Sequence, residues 1–203
     1  MCAEDSRGCG EGEAASAGKG LPMFADSPGG CCDSMLRSDC TEPRVSGAMV
    51  DFVYPEVVFP SSRMYAIAGE GTLRTLVHRH HELLKQSDIG HLFPREDEKA
   101  YGAMVQKITD FVVETCGGPR AYTAVHGAPS LRSRHFPFAI DEHAREVWLA
   151  LYKQALKEVG FPKQVLAEYW EWIEALSVRM INRRTTTAPI TRIPFESIAG
   201  YFG

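Results

Sequence analysis

The sequence predicts an all-α domain behind an acidic N-terminal extension. Three observations carry that expectation. Apolar residues recur at three- and four-residue spacing in four long stretches after Gly71. No stretch argues convincingly for a β-sheet, and no internal repeat is visible. With 203 residues and 44% apolar composition, the chain supplies one sizeable core and too little for two large ones.

Residues 1–47 are rich in Gly, Ser, Ala, Asp and Glu, and eight of the first fifty residues are glycine. Few large apolar side chains recur there, so little burial offsets the entropy of ordering them, and the stretch is expected to be disordered or loosely held. The first sixty residues hold ten acids against four bases, which concentrates the acidity of the chain in this extension. Five of the six cysteines (Cys2, Cys9, Cys31, Cys32, Cys40) lie there and only Cys116 lies in the periodic region, a distribution that argues against a disulfide framework. Cys31 and Cys32 read as free thiols, or as metal ligands that lack a nearby histidine. Residues 48–62 form a linker segment that is aromatic and β-branched. Pro55 and Pro60 argue against a continuous helix or a central strand, so an extended segment packed across the domain, or a contact surface for another subunit, is expected.

The first helix is predicted over roughly 73–87, capped by Thr72, with Leu73, Leu76, Val77, His80 and Leu84 on its inner stripe and His81 also able to face inward. Residues 88–94 read as a turn. A second helix is predicted over roughly 98–115, with Met104 and Ile108 one turn apart, and Gly117-Gly118-Pro119 stops it. A short piece over 120–125 leads into a loop from His126 to Phe138. The third long helix starts at Asp141, a capping residue, and Gly160 ends it. Pro162 suits the first turn of a fourth, whose inner face carries Val165, Leu166, Tyr169, Ile173, Leu176 and Met180. A strip around Trp170 and Trp172 is expected to be core on one side and interface on the other. Residues 183–203 read as a tail in which Ile193, Phe195, Ile198, Tyr201 and Phe202 pack somewhere.

The loop Leu131-Arg132-Ser133-Arg134-His135-Phe136-Pro137-Phe138 holds the most suggestive chemistry. It sets a histidine between arginines beside two phenylalanines, and it is expected to pack against something large and apolar. A protein core is one such partner, with His135 a structural histidine. A haem is another, with an imidazole on iron and arginines on the propionates. The formal net charge of −4 gives no basic excess for a nucleic-acid backbone. No run of eighteen apolar residues predicts a membrane span. The N-terminus has neither a basic start nor an apolar stretch, and its early acids argue against a mitochondrial presequence, so a soluble, cytoplasmic monomer or homodimer is expected.

Five motifs, in order and with matching spacing over residues 63–182, resemble the truncated haemoglobins of the second group. They are Tyr65-Ala-Ile-Ala-Gly69, Phe93-Pro94, Gly117-Gly118-Pro119-Arg120-Ala-Tyr122, Leu131 through Phe138, and Val147-Trp148-Leu149. The resemblance implies a two-over-two helical globin sandwich around haem b, with His135 as the proximal iron ligand. It implies that Phe93 packs on the porphyrin, that Met104, Ile108 and Phe138 line the pocket, and that Arg132 and Arg134 meet the propionates. Trp148 would donate its indole N–H to a ligand such as dioxygen. The chain departs from the family at His81, where a ligand-stabilising tyrosine is usual. A neutral imidazole donates one hydrogen bond only, so His81 either donates to the bound ligand or coordinates the iron itself in a two-histidine haem. Reversible gas binding is the leading function the resemblance implies. Nitric oxide dioxygenase or peroxidase-like turnover with a separate reductase stays open, as does a haem-free interaction module.

Overall fold

The computed structural model describes residues 54–203. The expectations for residues 1–47, for the cysteines in that stretch and for the start of the 48–62 segment lie outside the described residues.

Seven α-helices occur among the described residues: α1 (Arg63–Gln86), α2 (Glu98–Thr115), α3 (Ala121–His126), α4 (Leu131–His135), α5 (Glu142–Glu158), α6 (Lys163–Met180) and α7 (Phe195–Ile198). α1 packs against α2, α5 and α6, and α5 packs against α6. The result is a sandwich of two helix pairs, the arrangement that the resemblance implied. α3 lies against α2, and α4 lies against α6.

α1 begins ten residues before the predicted start, and Thr72 falls inside it instead of capping it. The sequence pattern stops short because Gly69 and Gly71 look like breakers. Gly69 adopts φ 75°, ψ 155°, a conformation open to glycine, and it kinks the helix without ending it. The buried Met64 and Ala68 continue the inner face beyond the kink.

α2 spans the predicted residues, and the Asp97 side chain accepts from the Ala100 N–H at 2.9 Å to start it. After it the chain turns sharply at Gly118. A Cβ there would lie 2.7 Å from both the Tyr65 ring and a Val113 methyl, so only glycine permits this approach. Glu114 then caps α3, accepting from the N–H groups of Tyr122 and Thr123 at 2.9 Å each. Asp141 caps α5 as predicted, accepting from the Ala144 N–H at 2.8 Å.

Three expectations are corrected. The stretch read as a continuous loop from 126 to 138 contains α4, a single turn too short to announce itself by periodicity. The tail packs through Ile198, Ile193, Phe195 and Phe202 as expected, but it also contains α7 and a 3-10 turn at Ala199–Phe202 that the sequence did not predict. Trp170 and Trp172 form no interface strip. They are 1% and 2% exposed, both inside the core. Trp170 turns its Nε1–H to the Ile193 carbonyl at 2.7 Å, and Trp172 lies beneath Phe59 and Phe111.

A buried charge network fastens the tail. Glu174, fully buried, accepts from Arg145 (2.5 Å), from Arg192 (2.6 Å) and from the Ile193 N–H (3.0 Å). Arg145 also reaches the Ser177 hydroxyl and the Thr191 carbonyl, at 2.9 Å each. No helix among the described residues is long and apolar enough to cross a membrane.

Candidate functional site

His135 is the last residue of α4, half-buried, with its Nδ1 2.6 Å from the Leu131 carbonyl oxygen. A carbonyl only accepts, so in the neutral ring the proton sits on Nδ1 and donates, and Nε2 carries the lone pair. That is the tautomer a metal-binding imidazole needs.

So short a helix is held from outside. Asn182, just beyond α6, donates through Nδ2 to the carbonyls of His135 and Phe138, both at 2.9 Å, and its Oδ1 accepts from the Ile140 N–H at 3.1 Å. Arg132 donates to the Arg179 carbonyl at 2.7 Å, and its guanidinium stands over the rings of Tyr54 (4.8 Å) and Phe136 (5.6 Å). Arg134 is exposed and donates through Nε to Pro129. Phe136 and Phe138 stay exposed, at 55% and 44%.

On α1, His80 and His81 are both buried. His81 repeats the geometry of His135, with Nδ1 2.7 Å from the Val77 carbonyl. Its Nε2 makes no hydrogen bond among the described residues. Burial lowers its pKa to about 4, so the ring is neutral near pH 7. His80 is sealed in the core, with Nε2 3.2 Å from the Trp148 carbonyl and Nδ1 without a partner. Burial, then the neighbouring His81, holds its pKa well below the usual value.

Phe93, Met104, Ile108 and Trp148 are half-buried apolar side chains packed against the main core. Phe93 stands edge-on to His81 at 6.3 Å between centroids. The Trp148 ring lies 5.0 Å from His80 and 4.8 Å from Tyr152, and its indole N–H makes no hydrogen bond among the described residues. Met104 borders an open groove with Gln106, Lys107, Asp110 and His126.

The sequence reading missed three participants. Lys107 lies half-buried between Met104 and Ile108, and burial followed by the charge of Arg134 lowers its pKa. Neither Lys107 on α2 nor Arg134 on α4 forms an ion pair among the described residues. Tyr101 fixes the backbone of His81 by donating to its carbonyl at 2.5 Å. Asn182 clamps the His135 turn. A lone lysine beside two pocket candidates was the only signal in sequence. The other two contacts join residues 20 and 47 positions apart.

These residues fit a flat, apolar group that carries a metal at its centre and carboxylates at one edge. They supply a bare imidazole nitrogen, apolar walls with surface left to cover, and cations on α2 and α4 without an ion-pair partner among the described residues.

The fold and site thus define a haem-binding globin of the short, two-over-two class. The sequence model of the bacterial-like globins matches residues 64–182. A group 2 truncated haemoglobin of Bacillus subtilis (strain 168) is 29% identical over 120 residues, 59% of this chain and 88% of that protein. The crystal structure of the group II truncated haemoglobin of Bacillus anthracis is 31% identical with a TM-score of 0.55, covering 64% of this chain and 97% of its own. Phosphate-bound Hell's gate globin IV is 52% identical with a TM-score of 0.74, covering 78% of this chain and 99% of its own. That last match exceeds what residues 64–182 supply, so the likeness takes in flanking sequence as well. The chain belongs to the bacterial-like globins, within the group 2 truncated haemoglobins.

Proposed function

We propose that this chain holds haem b through Nε2 of His135 and binds dioxygen or another diatomic ligand reversibly. The carrying observation is the 2.6 Å contact of His135 Nδ1 with the Leu131 carbonyl, which leaves Nε2 free for a metal. Haem, if bound, would supply an iron centre that takes the imidazole of His135 and a small ligand.

The chain's own residues do the rest. Asn182 and Arg132 hold the turn that carries His135, so the imidazole is oriented before it meets metal. Phe93, Met104, Ile108 and Trp148 exclude water from one face of the macrocycle. Phe138 covers an edge that water otherwise reaches. Lys107 and Arg134 meet the propionates, with Arg132 contributing less because one of its Nη groups already serves Arg179. Trp148 offers its unpartnered N–H to the ligand. Electrons for any turnover would come from a separate reductase.

The test is titration of purified protein with haem, followed by carbon monoxide and cyanide, read by absorption. One-to-one uptake with a shifted ligand spectrum is expected, and His135→Ala should lose tight retention. Haem retention equal to wild type in His135→Ala would refute the assignment.

A further inference from the structure

We infer that His81 acts as a hydrogen-bond acceptor in the ligand pocket, which selects small neutral ligands carrying an N–H, O–H or S–H over ligands that only accept. The inference rests on the haem reading above and adds to its diatomic ligands a class of small ligands that carry a proton.

The reason lies in the Val77 carbonyl. It takes the single proton of the neutral His81 ring through Nδ1 at 2.7 Å, so Nε2 presents a lone pair. Rotating the ring by a half turn would swap Nδ1 for a carbon and forfeit that bond in a residue only 4% exposed. Its backbone is fixed as well, since Tyr101 donates to the His81 carbonyl. The ring is flanked edge-on by Phe93 at 6.3 Å and by His80 at 5.3 Å. Neither is a carboxylate that would stabilise a second proton on the ring.

Trp148 also lies against His80, 5.0 Å between ring centroids, with its N–H unpartnered among the described residues. His81 and Trp148 thus both touch His80, and on the haem reading above they present one acceptor and one donor to a bound ligand. Dioxygen, carbon monoxide, fluoride and azide carry no proton, so each can use Trp148 but meets a lone pair at His81. Hydrogen sulfide, water or a primary amine can use both groups. An unmatched lone pair in a dry site disfavours the first set, and the added hydrogen bond favours the second.

The experiment uses the haem-loaded protein. In the diamagnetic ferrous carbon monoxide complex, a long-range ¹⁵N–¹H spectrum of the imidazoles should show the His81 proton on Nδ1. In the ferric protein, His81→Phe should weaken hydrogen sulfide binding roughly tenfold, the scale of one hydrogen bond, without weakening fluoride. His81→Gln, whose amide oxygen accepts, should recover part of that loss. A proton on Nε2, or a loss of fluoride affinity with sulfide unchanged, would overturn the inference. So would a six-coordinate ligand-free ferrous spectrum that becomes five-coordinate in His81→Phe. If no carbon monoxide complex forms at all, the haem reading itself fails. A complex that forms with the wrong tautomer sinks only the acceptor role.

Discussion

His81 and His135 make the same contact: each turns Nδ1 to the carbonyl four residues earlier, at 2.7 Å to Val77 and 2.6 Å to Leu131. Each ring is thereby left with Nε2 as its open nitrogen. The two differ in their support. His81 sits within a helix of 24 residues, whereas His135 ends one of 5. A long, packed helix holds a side chain in place and resists its displacement. The single turn under His135 is held instead from outside by Asn182 and Arg132, and its ring is half-buried where His81 is 4% exposed, which favours His135 as the proposed metal ligand.

Replacing His135 with glycine should abolish tight haem retention, and added imidazole should restore a ligand-binding spectrum by filling the space left behind. Absorption of the reconstituted protein with and without imidazole checks this.

Asn182→Leu should leave the fold intact but loosen the His135 turn. Three hydrogen bonds disappear, two of them to the carbonyls of His135 and Phe138. Haem transfer to an apoprotein acceptor should speed up by about tenfold or more, at roughly 1 kcal/mol per bond partly recovered by water. A rate equal to wild type would show that the turn holds itself.

Trp148→Phe removes the unpartnered indole N–H while keeping an aromatic wall. Dioxygen dissociation should accelerate by roughly tenfold, the scale of one lost hydrogen bond. Carbon monoxide, a poorer acceptor, should respond less. Stopped-flow displacement measures both.

Glu174→Ala should destabilise the protein by about 3–5 kcal/mol, because Arg145 is left buried without its partner. The loss of the Arg192 and Ile193 contacts should also release the tail around α7, which protease susceptibility near residue 190 would report.

Acid should weaken the fold in two windows. His81, with its pKa lowered to about 4 by burial, and His80, held well below its usual value by burial, stay neutral when folded, whereas an unfolded histidine protonates near 6.5. The unfolded state therefore binds more protons as pH falls below 6.5, and stability that is complete above that value declines toward about 4. Glu142 acts lower down. Hydrogen bonds from Thr185 and Arg184 outweigh its burial and bring its pKa to about 2 from 4.5, so its contribution is present above 4.5 and lost as pH falls toward 2. Thermal midpoints measured across this range should fall in both windows. Glu142→Gln should flatten only the lower one.

The sequence by itself determined the four long helices, because a stripe at three- and four-residue spacing is a local property that survives without any partner. The bounds of α2 and the Asp141 cap of α5 were legible for the same reason. His135 stood out by its setting among arginines and phenylalanines, yet residues alone left a structural role open, and the ordered motifs supplied the haem expectation. Tertiary structure decided what depends on distant partners. It extended α1 through Gly69, where a backbone turn looks like a stop in one dimension. It formed α4, too short to stand without Arg179 in the last turn of α6 and Asn182 just beyond it. It buried Trp170 and Trp172, whose faces no helical pattern assigned. The proton of His81, by contrast, is set within α1 by the Val77 carbonyl four residues earlier, and tertiary packing decided that the ring stays buried there.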